Sequence, residues 1–496
     1  MCSQPALSQK ETAPQVFRYH IPNEPHSLDP SKLTSTDASY FFNNVMRGLY
    51  SYSNREGLKP EGAKACRFET PTRLACELSN DFLWSDGSRV EAQDYIRSFR
   101  RLVSSKSKNP SVELLKNVRN AIKVNAGEVP AEQLGISAPT REKIVIEFDL
   151  PDPDFLYKLT ASVLVPVRTE TFPEKPSLQG ALFNGPYVVK EWVSGRRLRL
   201  EPNPFYKRGH AKRPPVEVLF IDDDQTALTL YDQKTLSFLR RLPLPFVAQF
   251  KDRNDFHLAL MARFDYIGFG DELKSEADLR HALSYSADFR ELQKLLDALA
   301  GGIPGCPGLK SSHLDKKRCV EFDLKKAKTH FAKVSPEART KRYKFYFSKL
   351  GGDNVKLAAE WFQAQWKKNL GLTIDLEQTE QSVYLQTLRS APPAIFRKGV
   401  GLERPTCLAA VETFGKGGSE NFIKLADPEF ERLISTLAQK PRDKKICGDS
   451  IQWLLDRAML IPLGEVAFAL LANPRWKGWE LNEMNQLDLA NLQFRP

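Results

Sequence analysis

The chain has 496 residues, of which 41% are hydrophobic and 27% are charged, and its net charge is +11. This composition is typical of a globular protein and excludes a disordered tail or a collagen-like chain. No apolar run approaches the about 18 residues of a membrane span, and the residues after Met1 do not resemble a signal peptide. Because the basic residues are scattered, the charge favours a solvated surface over a nucleic-acid site.

The predicted elements alternate between helices and short strands. Apolar residues at helical spacing predict helices over residues 91–103, 278–300, 354–370, 382–389 and 427–438. Gly371 ends one of these helices, and Pro428 suits the first position of another. A hairpin over residues 64–78 and strands over residues 143–148, 216–221 and 372–376 complete the pattern. Helices that alternate with strands predict an α/β fold.

The seven cysteines divide into one lone residue and three pairs of neighbours along the chain. The pairs are Cys66 with Cys76, Cys306 with Cys319, and Cys407 with Cys447. If residues 70–72 form the hairpin turn, Cys66 and Cys76 face each other with Cβ atoms about 4.5–5.5 Å apart, which is close to disulfide geometry. Two free buried thiols are the alternative for this pair. Three bridges would suit an oxidising compartment, whereas a cytosolic protein with seven ordinary thiols is the other interpretation.

The lone cysteine, Cys2, precedes a polar segment over residues 3–15. A cysteine followed by a polar tether is typical of a bacterial lipoprotein after removal of its signal, with Met1 standing in place of the signal. We therefore expect Cys2 to be a lipid anchor.

Motifs for catalysis are missing from the sequence. No nucleophile elbow, phosphate-binding loop, zinc-protease motif or dinucleotide glycine motif occurs. The seven histidines are far apart, and no cysteine pair has zinc or redox spacing. The run Asp222-Asp223-Asp224 offers oxygen ligands, but a solvated turn is the favoured interpretation. We expect no enzymatic activity, no metal and no cofactor.

Six segments, in order, resemble one family. They begin with Glu24-Pro25-His26-Ser27-Leu28-Asp29-Pro30 and residues 43–50, and continue with Trp84-Ser85-Asp86-Gly87-Ser88 through Leu102, Asn184-Gly185-Pro186-Tyr187 through Tyr206, and residues 279–290, 323–332 and 359–388. Together they resemble the oligopeptide-, dipeptide- and nickel-binding solute-binding proteins (family 5) of ABC importers, across nearly the whole chain.

The resemblance implies a two-lobe α/β fold of the type II periplasmic-binding-protein class, with an extra subdomain inserted in the first lobe. The implied parts are a flexible tether (1–15), lobe I (16–40, 160–255 and 465–496), the inserted subdomain (41–159) and lobe II (256–464). A monomer of this kind traps solute between its lobes and delivers it to an ABC permease. Its implied location is periplasmic or at the cell surface, with no nucleic-acid partner and membrane contact only through Cys2.

The resemblance also implies a set of ligand-binding residues. They are Thr34, Ser35, Thr36, Tyr40, Phe264, Tyr266, Arg397, Gly399, Gly401, Glu403 and Arg404. Peptide binders of the family carry a Trp and then an ammonium-binding Asp before the segment Pro405-Thr406, and this chain lacks both. Glu403 is the nearest carboxylate, and Arg397 stands where relatives place a carboxylate-binding arginine. A solvated loop is the alternative for Arg397, Glu403 and Arg404.

The leading hypothesis is extracytoplasmic capture of an oligopeptide, held by strand-like main-chain hydrogen bonds. The missing Asp leaves other solutes open, such as a sugar, a nickel chelate or an anionic compound. A further alternative is a surface or cell-wall protein that has kept the fold and uses its positive charge to hold an anionic polymer.

Overall fold

The structure, a computed structural model, describes residues 15–33, 36–107, 109–169, 177–295, 305–307, 318–349, 352–402, 404–418, 420–464 and 466–495. The strands are β1 (Phe17–Ile21), β2 (Tyr50–Ser53), β3 (Gly57–Pro60), β4 (Ala63–Thr70), β5 (Arg73–Leu78), β6 (Ile136–Thr140), β7 (Lys143–Glu147), β8 (Tyr187–Val193), β9 (Arg197–Pro202), β10 (Val216–Phe220), β11 (Phe238–Leu239), β12 (Phe256–Met261), β13 (Arg263–Phe269), β14 (Arg342–Ser348), β15 (Thr373–Thr379), β16 (Ile395–Gly401), β17 (Leu460–Pro462), β18 (Val466–Ala472), β19 (Trp476–Lys477), β20 (Glu480–Leu481), β21 (Leu487–Asp488) and β22 (Gln493–Phe494).

The helices are α1 (Thr36–Val45), α2 (Ala92–Val103), α3 (Ala121–Ala126), α4 (Phe155–Lys158), α5 (Asp224–Asp232), α6 (Leu244–Phe250), α7 (Asp271–Lys274), α8 (Ala277–Tyr285), α9 (Phe289–Leu295), α10 (Leu324–Phe331), α11 (Pro336–Thr340), α12 (Gly352–Leu370), α13 (Gln381–Ser390), α14 (Cys407–Glu412), α15 (Pro428–Gln439) and α16 (Lys444–Asp456). Within the described ranges, no helix has the length and apolar character that a membrane crossing requires.

Lobe I is built on a seven-stranded sheet with the order β12-β18-β11-β1-β10-β9-β8. Strand β1 runs parallel to both β10 and β11, whereas the outer pairs are antiparallel. Phe17, Tyr19 and Ile21 alternate along β1 and are fully buried. The phenol of Tyr19 donates a hydrogen bond to the carbonyl oxygen of Tyr40, which ties the sheet to α1.

The inserted subdomain contains a four-stranded antiparallel sheet, β4-β5-β7-β6, packed beside α2. The predicted hairpin is confirmed, because β4 and β5 place Cys66 directly opposite Cys76. Trp84 is buried, and its indole N–H donates to Asp94 at 3.1 Å. The same carboxylate accepts the backbone N–H of Glu91 and thereby closes the first turn of α2.

Lobe II has a five-stranded sheet with the order β15-β14-β16-β13-β17. One face packs on a core that contains Ile267, Phe345 and Trp366, with α8 and α12 above it. The other face packs on a core that contains Tyr266 and Phe396, with α14, α15 and α16 above it. Both faces are buried, as expected for the partly parallel sheet of an α/β lobe.

The chain crosses between the two sheets at two places. It passes from β12 to β13 through Ala262 and returns from β17 to β18 after Pro462. Strand β12 pairs with β18 along its whole length, so residues 256–261 belong to the sheet of lobe I. The predicted start of lobe II was residue 256, and the strand pairing of lobe I extends beyond it to Met261.

The helix predicted over residues 278–300 is not continuous. The single helix predicted over 278–300 is divided into α8 and α9, because the chain turns after Tyr285 and the Asp288 carboxylate accepts the backbone N–H of Arg290.

Asp223 caps α5 by accepting the backbone N–H of Thr226 at 2.6 Å. The run of acidic residues therefore contains a helix cap.

The three predicted disulfides are confirmed. They join Cys66 with Cys76, Cys306 with Cys319, and Cys407 with Cys447. The last of these bonds fastens the start of α14 to α16 within lobe II. Cys2 lies outside the described residues.

Candidate functional site

The second half of β16 has one unpaired edge. Strand β16 pairs with β14 at Ile395 and Phe396, whereas residues 397–401 pair with β13 alone. The backbone N–H of Leu402 bonds the carbonyl oxygen of Ala262 at 2.8 Å, which fixes the alternation of the antiparallel ladder. It follows that Arg397, Gly399 and Gly401 direct their main-chain N–H and C=O groups away from β13.

Two side chains border this free edge. The phenol of Tyr384 donates to the carbonyl oxygen of Arg397, and the ammonium of Lys398 donates to the carbonyl oxygen of Gly399 at 3.1 Å. Among the described residues, no backbone group bonds the amides of Gly399 and Gly401. The amides at these two glycines are therefore open to another extended chain, whereas the carbonyl oxygen of Gly399 already accepts from Lys398.

The two glycines have different surroundings. A Cβ atom at position 399 would stand 2.0 Å from the Nη2 atom of Arg263 and 2.4 Å from the Oδ1 atom of Asp265. A Cβ atom at position 401 would meet nothing within 4 Å. Gly399 therefore makes room for a charged cluster beneath the strand, whereas Gly401 borders open space.

The charged cluster centres on Asp265, whose side chain is only 3% exposed. Its Oδ1 atom accepts the Nε–H of Arg263 at 2.5 Å, and its Oδ2 atom pairs with Arg397. Burial by itself would raise the pKa of Asp265, but the two guanidinium groups outweigh it and hold that pKa below its ordinary value. Two cations share one anion here, so the cluster carries an excess of positive charge.

A second ion pair lies on the opposite face of β16. The Lys398 ammonium contacts Glu420 at 2.6 Å and lies over the ring of Phe422. Burial lowers the pKa of Lys398, and Glu420 opposes that change. This pair is neutral overall and therefore adds no net charge to the Asp265 cluster.

A third polar contact connects the two lobes. The Oδ2 atom of Asp154, which precedes α4 in the inserted subdomain of lobe I, accepts the Nε–H of Arg404 at 3.0 Å and the hydroxyl of Thr406 at 2.5 Å, both in lobe II. Arg404 also pairs with Glu412. Burial lowers the pKa of Arg404, but Glu412 and Asp154 outweigh it, and the resulting pKa lies above the ordinary value.

The sequence matches the model of a known protein family. The model described as "Bacterial extracellular solute-binding proteins, family 5 Middle" matches residues 69–421, which is most of the chain. The chain belongs to this family. The two lobes, with a free strand edge beside the crossing strands, are accordingly those of an extracellular solute-binding protein.

Individual relatives extend the comparison. The chain is 23% identical to the probable deoxycholate-binding periplasmic protein YgiS of Escherichia coli, over 86% of this chain and 82% of that one. It is 24% identical to the oligopeptide-binding protein OppA of Bacillus subtilis, over 86% and 83% of the two chains. The solved structure of the Escherichia coli murein tripeptide binding protein MppA superposes with a TM-score of 0.79 at 21% identity, covering 97% of this chain and 99% of that one.

Two of the expected ligand-binding residues of this solute-binding protein have buried side chains. Phe264 and Tyr266 are 1% and 0% exposed, and their rings pack on Phe414 in the core of lobe II. They occupy the core-facing positions of β13, whereas Asp265 between them lies directly opposite Gly399. The register of β13 therefore turns both rings toward the core of lobe II.

Tyr40 and Arg404 are also engaged within the protein. Tyr40 is 1% exposed, and its phenol donates to Asn485 at 2.8 Å. Arg404 is used between the lobes, as described above, and is not a solvated loop residue. Arg397, Gly399 and Gly401 do come together at one strand edge. Thr36 begins α1, and Thr34, Ser35 and Glu403 lie outside the described residues.

Sequence reasoning missed Arg263, Asp265 and Asp154. Asp265 lies between two of the expected residues, Phe264 and Tyr266, and the signal that would have selected it is the alternation of a strand. If the aromatic residues on both sides of it face a core, Asp265 faces the other way. Asp154 carries no comparable signal, because its partners are 250 and 252 residues away in the chain.

Proposed function

We propose that this solute-binding protein captures a short peptide in extended conformation between its lobes and delivers it, as a monomer, to an ABC permease. The free edge of β16 at Gly399 and Gly401 carries the proposal. Main-chain N–H and C=O groups on a strand edge are satisfied by another main chain, which is how extended peptides bind regardless of their sequence. The relatives OppA and MppA bear the names of peptide-binding proteins.

The charge of the site supports an anionic group on the solute. Arg263 and Arg397 share the single carboxylate of Asp265, and their side chains are 29% and 20% exposed, so part of each side chain remains accessible. A peptide would place its terminal carboxylate there. Asp265 itself offers no ammonium site, because both of its oxygen atoms already accept from arginines.

A second candidate solute is a non-peptide carboxylate. The relative YgiS is named as a probable deoxycholate-binding protein, and deoxycholate also carries a carboxylate that would suit the arginines. It has no main chain that could use the free edge of β16. The two candidates therefore differ in their dependence on that edge.

The test is to identify the solute and to block the edge. Mass spectrometry of small molecules released from the denatured protein should recover peptides, and thermal unfolding should shift upward with short peptides more than with deoxycholate. The substitution Gly401→Leu fills the open space beside the edge and should abolish the peptide shift. Ser137→Leu, at an exposed strand position of the inserted subdomain, is the matched control.

Different outcomes separate the two candidates. Recovery of no peptide, together with a shift by deoxycholate that survives in the Gly401→Leu protein, would reject the peptide in favour of the carboxylate solute. Equal loss of peptide binding in the Ser137→Leu control would show that the effect does not come from the edge.

The protein is also proposed to be anchored by a lipid on Cys2 and to act without catalysing a reaction. The polar residues after Cys2 would serve as the tether, and the three disulfides suit an oxidising compartment outside the cytoplasm. Intact-mass analysis of the protein from native membranes should find a diacylglycerol thioether on this cysteine. A membrane-bound protein with an unmodified Cys2 would contradict the anchor.

A further inference from the structure

The seven-stranded sheet of lobe I ends on one side at β12, and this strand has a free edge. Strand β12 pairs with β18 in unbroken register over residues 256–261. The backbone N–H of Ala472 bonds the carbonyl oxygen of Asp255 at 2.9 Å, which fixes the alternation of this antiparallel ladder. It follows that Leu258 and Leu260 direct their main-chain N–H and C=O groups away from β18, and no backbone group in the described ranges bonds them.

The same two leucines expose their side chains, and the strand carries no protection against pairing. Leu258 and Leu260 are 48% and 37% exposed. Strand β12 contains no lysine, proline or bulge. At the opposite edge of the sheet, β8 carries the exposed Lys190, where the register with β9 shifts. Natural sheets protect their edges by such charges and bulges, because an unprotected apolar edge pairs with another chain. The edge that can accept another strand is therefore β12.

A groove with a volume of about 470 Å³ lies beside this edge, which is within the usual range of binding sites. Its lining includes residues 257–260 of β12, the segment 476–481 and Arg55. The ring of Trp479 stands edge-on to His257, with 5.2 Å between the ring centroids. The lining does not include the glycines at the edge of β16, so the groove is separate from the proposed solute site.

The side chains of the groove favour an acidic occupant. Arg55 and Lys477 are both exposed there. Among the described lining residues, the only carboxylate is that of Glu480, which accepts the hydroxyl of Ser53 and the backbone N–H of Asn54. Two cations against one engaged carboxylate attract an acidic segment and repel a basic one. A second copy of this chain would bring the same two cations to the groove.

We propose that the free edge of β12 is a docking site for an extended, acidic segment of a partner polypeptide, which adds to the sheet of lobe I as a further strand. Main-chain bonds to Leu258 and Leu260 supply affinity. Because side chains alternate along a strand, those of the segment pack on the two leucines on one face and beside Trp479 on the other. Its acidic residues face Arg55 and Lys477. The inference is independent of the identity of the solute.

The test measures strand addition directly. The full chain with Gly401→Leu, in which the edge of β16 is blocked, is mixed with the peptide acetyl-Glu-Asp-Val-Thr-Val-Thr-Val-Glu-amide. Binding should slow hydrogen exchange in the fragments that span β12, read by mass spectrometry, because the amides of Leu258 and Leu260 become hydrogen-bonded. A peptide with lysine in place of each acidic residue should bind at least roughly tenfold more weakly.

Two substitutions separate the main-chain and charge contributions. Leu258→Pro removes the outward N–H and leaves the bonds to β18 in place, so the affinity should fall by roughly tenfold. Leu258→Thr keeps the N–H and should lose less. Lys477→Glu should also weaken binding, whereas Arg432→Glu, at an exposed position of α15, is the matched control and should not. Thermal unfolding checks that each protein is folded, and Lys477→Glu carries the comparison if Leu258→Pro does not fold.

The proposal would be overturned by unchanged exchange of β12 in the presence of the acidic peptide, or by equal affinities of the wild-type and Leu258→Pro proteins. Equal weakening by Arg432→Glu would also contradict it. Sedimentation equilibrium identifies the other occupant: a dimer that Leu258→Pro dissociates would replace the partner segment by a second copy of the chain. All of these measurements use the Gly401→Leu background, so a failure of the docking site and a failure of the solute proposal are distinguishable.

Discussion

Asp265 and Gly399 face each other across β13 and β16, and the absent side chain of the glycine leaves room for the carboxylate and its two arginines. The same glycine presents its main-chain groups at the free edge of β16. A charged cluster and a strand edge are thereby combined at one place in lobe II. This relationship gives the first two predictions below.

Gly399→Ala should destabilise the protein, whereas Gly401→Ala should not. The new Cβ atom at 399 would displace Arg263 from Asp265, and overpacking of this kind costs about 1–3 kcal/mol of the free energy of unfolding. The Cβ atom at 401 meets open space. Urea unfolding of the two single variants measures the difference. Equal stabilities would contradict the close packing beneath position 399.

Asp265→Asn should lower the free energy of unfolding at neutral pH by about 3 kcal/mol, since it leaves two half-buried arginines without their anion. The folded-state pKa of Asp265 is depressed, so its stabilisation is present above the ordinary pKa of about 3.8 and is lost as the pH falls through the lower folded-state value. Urea unfolding at neutral pH and near pH 3 measures both effects. Asp375→Asn, which breaks an exposed pair with Arg342, is the control and should change little.

Arg397→Gln should weaken the binding of carboxylate-bearing solutes. Hydrogen bonds to charged groups contribute about 1.5–3 kcal/mol, which corresponds to roughly 10- to 100-fold in affinity. Calorimetry with trialanine and with its C-terminal amide separates the effects, because only the free carboxylate should lose affinity. Arg432→Gln, at an exposed position of α15, is the control. An equal loss for the amide would show that Arg397 acts on the fold and not on the carboxylate.

Removal of a disulfide should cost more stability for the longer loop. The cysteines at 407 and 447 are 40 residues apart, and those at 66 and 76 are 10 apart. In the chain-entropy model, these separations correspond to about 4 and about 3 kcal/mol. Unfolding of the double variants C407A/C447A and C66A/C76A tests the order. A larger loss from the hairpin pair would indicate that strain or packing, rather than loop entropy, dominates.

Local sequence patterns predicted the elements whose contacts are made by residues close together in the sequence. The hairpin that pairs Cys66 with Cys76 depends on one short turn, and α2 depends on its own periodicity and cap. The division of the predicted helix 278–300 was missed, because the turn at Ser286 to Asp288 interrupts an otherwise continuous apolar pattern.

The site was predicted in part. The free edge at Gly399 and Gly401 lies in the segment that the family resemblance indicated, but the direction of each side chain along β13 depends on its register with β16. A shift by one residue would place Tyr266 instead of Asp265 opposite Gly399. No local sequence pattern determines the register of β13 with β16.

By itself, the sequence predicted alternating helices and strands and a hairpin that pairs Cys66 with Cys76, because those features depend on periodicity and turn residues. Its ordered motifs implied the two-lobe fold of a solute-binding protein through their resemblance to a family. The tertiary structure alone decided that Asp265 lies beneath the strand edge, that Phe264 and Tyr266 belong to the core, and that Arg404 reaches Asp154 in the other lobe. These relationships join residues 132 to 250 positions apart, and they exist only once strands from distant segments have paired and the lobes have met.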